Sequence, residues 1–255
     1  VSVLPITMLQ STLFFQFIDP SALGKVDKAS LSPQTLMELF IDGFGKSKAV
    51  ICFDPVEPPD VSQWQNVECN GQEHVISAHW ETKGLSGSLG LELLPSTFEK
   101  LVVWGNSLCG TLDLTALPHT LTTLDASHNR LTGTLNLEVL PSSLERLLLQ
   151  YNAFDGTVCL TRLPEYVHAI HLSRNNLSGA LDLTGLPCRI TSLFLRENNF
   201  SGITDFTKLP LSLRNLDISN TELEGEIFLE EGSTFGRDFS AKNSKVLIRM
   251  VEKNA

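Results

Sequence analysis

From Val75 onward, apolar residues fall in a fixed order between polar ones, and the order returns every 23 residues. From Phe98 the chain runs FEKLVVWGNSLCGTLDLTALPHT, and from Leu121 it runs LTTLDASHNRLTGTLNLEVLPSS. Frames opening at Leu144, Val167, Ile190 and Leu213 repeat the pattern, and another fits upstream from Val75, giving seven units without insertion or deletion. Within each unit an LxL triplet, such as Leu124-Asp125-Ala126 or Leu147-Leu148-Leu149, alternates with a period of two. That period predicts a short strand whose outer residues face a core and whose middle residue is exposed. One such unit cannot bury its own apolar face, so neighbouring units must stack into one continuous core, and the two ends need caps. Stacked triplets predict a parallel sheet lining a concave face.

Three further columns recur at fixed offsets. Asn106, Asn129, Asn152, Asn175 and Asn198 occupy one of them. An inward amide there serves backbone groups where the chain leaves the sheet, since buried peptides need partners. The first unit carries Lys83 at this point and the last carries Thr221, as expected of atypical terminal units. Gly87, Gly110, Gly133, Gly156, Gly179, Gly202 and Gly225 form the second column. It predicts a left-handed backbone or a close approach between coils. Pro95, Pro118, Pro141, Pro164, Pro187 and Pro210 form the third, suited to the turn before the next strand.

The consensus LxxLxLxxNxLxGxLxLxxLPxx resembles the leucine-rich repeat family, and its LxGxL segment resembles the plant-type and protist subclass. The resemblance covers about 160 of the 255 residues. It implies an α/β-type solenoid: a right-handed array with short parallel strands on the concave side, a mostly irregular convex side, and small caps. The expected organisation is an N-terminal arm and cap over 1–74, seven repeats over 75–235 and a C-terminal cap over 236–255. Trp64 to Cys69 ahead of the first repeat is similar to the N-terminal cap of plant-type receptors, where a Trp and a Cys pair precede the array. Cys52 and Cys69 match that pair, and the resemblance implies a disulfide between them.

Outside the array, Ser32-Pro33 ahead of LMELFIDGFG predicts a helix with Ser as cap and Pro in the first turn. Gly43 and Gly45 end it, and Phe53 to Pro59 is expected to be an irregular loop. Val3 to Phe17 is apolar but interrupted by Pro5, Gln10 and Gln16, and shorter than a membrane-spanning helix requires. It fits a processed N-terminus, the tail of a removed signal, a docking arm or a buried cap segment. At the other end, Val246, Leu247, Met250 and Val251 alternate with basic residues, fitting a strand or short helix that closes the last coil.

The chain carries 29 acidic and 19 basic residues, a formal net charge of -10, with no clustered basic run. That argues against nonspecific nucleic-acid binding. Gly45-Lys46-Ser47 lacks the glycine that a phosphate loop needs five residues earlier, where Phe40 stands. HExxH and GxSxG are absent. No enzymatic chemistry and no cofactor are expected. His79, His128 and His171 are two coils apart in order, too distant to share a metal, so none is expected.

Exposed rows on the concave face are therefore where function is expected. The candidate contacts are His79, Val102, Trp104, Asp125, His128, Leu148, Tyr151, His171, Phe194 and Arg196. Aromatic residues and Arg are favoured interface anchors, and clustered exposed apolar residues signal contact. The expected function is a non-enzymatic module binding a protein or peptide partner, with no nucleic acid and no membrane-spanning segment. The alternative is a structural subunit of a large, organellar assembly. Asn176-Leu-Ser and Asn199-Phe-Ser are N-glycosylation sequons one coil apart. With the cap resemblance they point to a secreted, cell-surface or lumenal protein. Cys109, Cys159 and Cys188, read as free thiols, point to an intracellular one.

Overall fold

The structure is a computed structural model that describes residues 28–230 and 238–251. The apolar arm Val3 to Phe17 lies outside the described residues. Two stacks of strands run the length of the array. The LxL triplets form a nine-stranded sheet, in spatial order β1 (Val67–Cys69), β2 (Val75–His79), β4 (Lys100–Val102), β6 (Thr123–Asp125), β8 (Arg146–Leu148), β10 (Ala169–His171), β12 (Ser192–Phe194), β14 (Asn215–Asp217) and β16 (Asp238–Ser240). The glycine-column segments form an eight-stranded sheet of β3 (Ser86–Gly87), β5 (Ser107–Thr111), β7 (Arg130–Thr134), β9 (Ala153–Gly156), β11 (Asn176–Gly179), β13 (Asn199–Ile203), β15 (Glu222–Glu230) and β17 (Lys245–Val251). Every pairing along both stacks is parallel except β1 with β2. The second sheet goes beyond the irregular convex side the repeat implies. The remaining side of each coil is made of short 3₁₀ turns, as at Leu91–Leu93 and Leu114–Ala116, and irregular segments.

The core is one cluster that runs from Met37 to Val246. Each of the six strands of the first sheet from β4 to β14 puts one fully buried aliphatic residue into it: Leu101, Leu124, Leu147, Ile170, Leu193 and Leu216. The asparagine column binds each coil to the one before it. Asn106 Oδ1 accepts from the backbone N–H of Lys83 and Leu85, while its Nδ2 donates to the carbonyls of Trp80 and Val103. Asn175 repeats this, accepting from Phe154 N and donating to the Leu149 and Leu172 carbonyls. Thr221, in the last frame, reaches only Ile218 O in its own coil. The prolines act through their carbonyls, which accept from the first residue of the next unit, as Pro141 does from Leu144 N at 3.0 Å.

In the N-terminal segment the helix expected after Ser32 forms. Helix α1 (Pro33–Asp42) has Ser32 as its cap, whose Oγ accepts from Thr35 N at 3.1 Å. A second short helix, α2 (Ala49–Cys52), follows; nothing in the apolar spacing announced it. Phe40 of α1 and Phe44 just past its end lie 5.4 Å apart, and their ring centroids meet Trp80 of the first coil at 6.2 and 6.0 Å. Trp80 Nε1 donates to Gln65 O and Trp64 Nε1 to Pro59 O, so both buried indoles are satisfied. This aromatic trio is what covers the first coil.

Cys52 and Cys69 are both free thiols in this structure, as are Cys109, Cys159 and Cys188. The bond implied by the cap resemblance is therefore not formed here. Cys52 is buried at the end of α2, where its Sγ contacts the Lys48 and Asp54 carbonyls at 3.4 Å. Burial pushes the Cys52 thiol up, with the Lys48 charge acting the other way. Because the thiolate is the reactive species, alkylation of the reduced, folded protein is expected to label exposed Cys109 and Cys188 first and Cys52 only on unfolding. Rapid labelling of Cys52 in the native protein, read by peptide mass, would contradict this packing.

Candidate functional site

The middle residues of the LxL triplets pair in register across the first sheet. His79 lies beside Val102, and Val102 beside Asp125. Asp125 lies beside Leu148, Leu148 beside His171, and His171 beside Phe194. The row is continuous and half-buried. Its apolar part is Leu148, His171 and Phe194 on three adjacent strands, with the His171 and Phe194 rings 4.8 Å apart. Asp125 is turned to local use: its Oδ1 accepts from both the backbone N–H and the hydroxyl of Ser127. Asp217 does the same for Ser219.

A second row runs along the edge where the chain leaves the sheet. Thr82, His128, Tyr151, Arg174, Glu197 and Asn220 all have φ between 52° and 57°, and Gly105 completes the column at 72°. Non-glycine residues in this left-handed region are uncommon and cost energy. From Gly105 to Glu197 the asparagine that follows holds the turn. The result is a ladder of side chains in contact: His128 stacks on Tyr151 at 4.0 Å, and the Arg174 guanidinium lies 4.7 Å from the Tyr151 ring centroid. Arg174 then pairs with Glu197 at 2.6 Å, Glu197 with Arg196 at 2.6 Å, and Arg196 reaches Asp217 at 4.0 Å. Partial burial pulls the Glu197 carboxyl upward, but hydrogen bonds from Arg174 and Arg196 outweigh it and hold the group below the usual range.

Of the sequence-predicted residues, the structure brings together His128, Leu148, Tyr151, His171, Phe194 and Arg196 over four adjacent coils. Trp104, 39% exposed, stands apart with His79 and Val102 toward the N-terminal end. Asp125 and Ser127 separate it from the main patch. Sequence reasoning missed the roles of Arg174 and Glu197, which sit in the same column as Tyr151. It also missed three buried polar atoms on this face without a hydrogen-bond partner, Glu81 Oε2, Gln150 Oε1 and Ser173 Oγ. Gln150 and Ser173 lie in adjacent coils beside Leu148 and His171, so the apolar patch carries unused hydrogen-bonding capacity at its border.

The imidazole of His171 has its pKa lowered to about 4, first by burial, then by the Arg196 charge, with Asp217 opposing and His128 assisting. The folded value lies below the unfolded one, so the neutral form is favoured by the fold. Its contribution to stability is present above the unfolded value and is lost as pH falls toward about 4. The expected NMR titration of His171 has its midpoint near 4 in the wild type and moves upward in Arg196→Met. A midpoint at the ordinary histidine value would show that this part of the face is open to water.

These features define a class. A family model described as Leucine Rich Repeat matches residues 120–141. No curated protein matches the chain in sequence. Among solved structures, the ectodomain of the Arabidopsis receptor kinase HAESA, in complex with a peptide hormone, superposes with a TM-score of 0.61 at 19% identity, over 86% of this chain and 41% of that one. A pollen receptor kinase 3 matches with a TM-score of 0.52 at 22% identity, over 86% and 92%. A plant ice-binding protein matches with a TM-score of 0.51 at 19% identity, over 84% and 87%. Identities this low speak for the fold alone. The repeat, the fold and the match over 120–141 agree on a leucine-rich repeat architecture for this chain.

Proposed function

We propose that this protein is a non-enzymatic binding module that grips a protein or peptide across its concave face, between the coil of Asp125 and that of Asp217. The observation that carries the reading is the in-register patch of Leu148, His171 and Phe194, bordered by the His128–Tyr151–Arg174–Glu197 ladder. Half-exposed apolar groups on adjacent strands offer area to a partner. The stacked and ion-paired border is pre-organised, which lowers the entropy lost on binding. A peptide-hormone complex among the similar folds supports the choice of occupant.

A photo-reactive residue at Leu148, used in the native source, is expected to give one dominant adduct with a partner. The same probe at Val139, exposed on another side of the coil, is expected to give none. Phe194→Ala should weaken the captured interaction by about 2 kcal/mol, in the range of a central anchor. Equal adducts from both probe sites would remove the concave face from consideration. The module is further proposed to be secreted or displayed at a cell surface, with exposed Asn176 and Asn199 as glycan acceptors. Glycosidase-sensitive mass at those two residues in native protein tests that part. Five free thiols favour instead a subunit built into an intracellular assembly. That reading predicts unmodified asparagines and a partner released only on denaturation.

A further inference from the structure

The two ends of the solenoid differ. At the N-terminal end, β3 is covered: Ser88 N donates to Gly43 O at 2.9 Å, and Ser86 N donates to Ser47 Oγ at 3.0 Å. At the C-terminal end the eight-stranded sheet stops at β17, and no described strand lies beyond it. Along β17 the core-facing positions are Val246, Ile248 and Met250, since they pair with Gly225, Ile227 and Leu229. Ile227 and Leu229 are 2% and 7% exposed, whereas Ile248 and Met250 are 37% and 59% exposed. Among the described residues, nothing covers the end of the core on this edge. Leu247, 52% exposed, and Val251, 38% exposed, add apolar surface on the opposite face of the strand. An apolar strand at the edge of a sheet is a template for another strand.

The charges on this edge are already spent. Lys245 pairs with Glu222 and Glu224, and Arg249 with Glu226, all on β15. A partner strand thus needs no acidic residues and must itself be apolar at alternate positions. β17 meets that requirement for a second β17. Set antiparallel about Ile248, Ile248 faces its mate, Val246 faces Met250, Leu247 faces Arg249 and Lys245 faces Val251. All core-face pairs are then apolar, no like charges are opposed, and the stems of Arg249 and Lys245 lie over Leu247 and Val251. We propose that two copies of this chain join through β17 in this register, making one continuous sheet and closing the open end of each core. The contact is isologous, and the cap over β3 prevents head-to-tail growth, so association stops at two.

The test uses the full chain in sedimentation velocity over a range of concentrations. The expected result is a reversible dimer, with self-association weakened about tenfold or more by Ile248→Lys, which would place two ammonium groups opposite each other. Met250→Lys, at a more exposed site, should act in the same direction with the melting temperature held. In a background with Cys109 and Cys188 changed to serine, Ile248→Cys should form a covalent dimer on oxidation, while Leu247→Cys, whose mate is Arg249, should not. A monomer at every concentration overturns the proposal. So does a dimer that survives both lysine variants or cross-links equally through Leu247→Cys, and so does open-ended growth.

Discussion

Asn175→Ala is expected to destabilise the array by about 3 kcal/mol or more, read as a fall in the urea midpoint. The amide serves four backbone groups: it accepts from Phe154 N and donates to the Leu149 and Leu172 carbonyls and, at 3.5 Å, to that of Ser173. Asn175 is itself buried, so no water replaces it cheaply. An orphaned buried donor or acceptor costs roughly 1–3 kcal/mol each. Two of the partners belong to the preceding coil, so the change cuts a bond between units as well as within one. Asn215→Ala is the control. Its half-exposed amide bonds only Ser192 Oγ among the described partners, and a loss under about 1 kcal/mol is expected. Equal losses from the two variants would mean that the asparagine column is decoration on a stack held by leucine alone.

Gly87→Ala is expected to lift the N-terminal cap. A Cβ on Gly87 would sit 2.0 Å from Gly43 O, a backbone atom with no rotamer to change, and the residue has a φ of +96°. The strain of that conformation alone costs an L-residue roughly 1–2 kcal/mol. The clash adds to it by separating α1 from β3, and Phe40, Phe44 and Trp80 lose their shared packing. Hydrogen exchange should rise over 33–52 and stay unchanged from β8 onward, with red-shifted tryptophan emission. Gly110→Ala tests the reasoning, because a Cβ there meets only Ser88 Cβ at 3.8 Å. It carries backbone strain at φ +86° without the collision and should leave the cap in place. Protection lost evenly along the whole chain in Gly87→Ala would show that the cap and the array unfold as one unit.

Much of this architecture is legible in the order of residues. The LxL period and the Asn, Gly and Pro columns place the first sheet and the coil-to-coil contacts, because each column has one physical task and hence one residue type. Ser32-Pro33 places α1 for the same reason. The second sheet is not legible, since Gly133 breaks the apolar alternation and glycine is depleted in strands, whatever its flanking threonines favour; stacking with neighbouring coils makes the segment a strand. The aromatic trio hides because Trp80 stands in a column otherwise held by aliphatic residues. The left-handed column is hidden by its variety: Thr82, His128, Tyr151, Arg174 and Glu197 share no chemistry, only a backbone angle. The concave row was readable as a row, but the contacts joining Tyr151, Arg174 and Glu197 depend on that angle.

The repeat keeps its 23-residue period without insertion, and each coil's hydrogen bonds reach only its immediate neighbours. Under tension applied at its two ends, such a molecule should behave as a row of equal latches. Each coil that opens frees a contour of roughly 76–83 Å, at about 3.3–3.6 Å per residue. The stack surrenders only about 4.8 Å of its own height in exchange. A force–extension trace of this protein is therefore expected to be a sawtooth of uniform spacing.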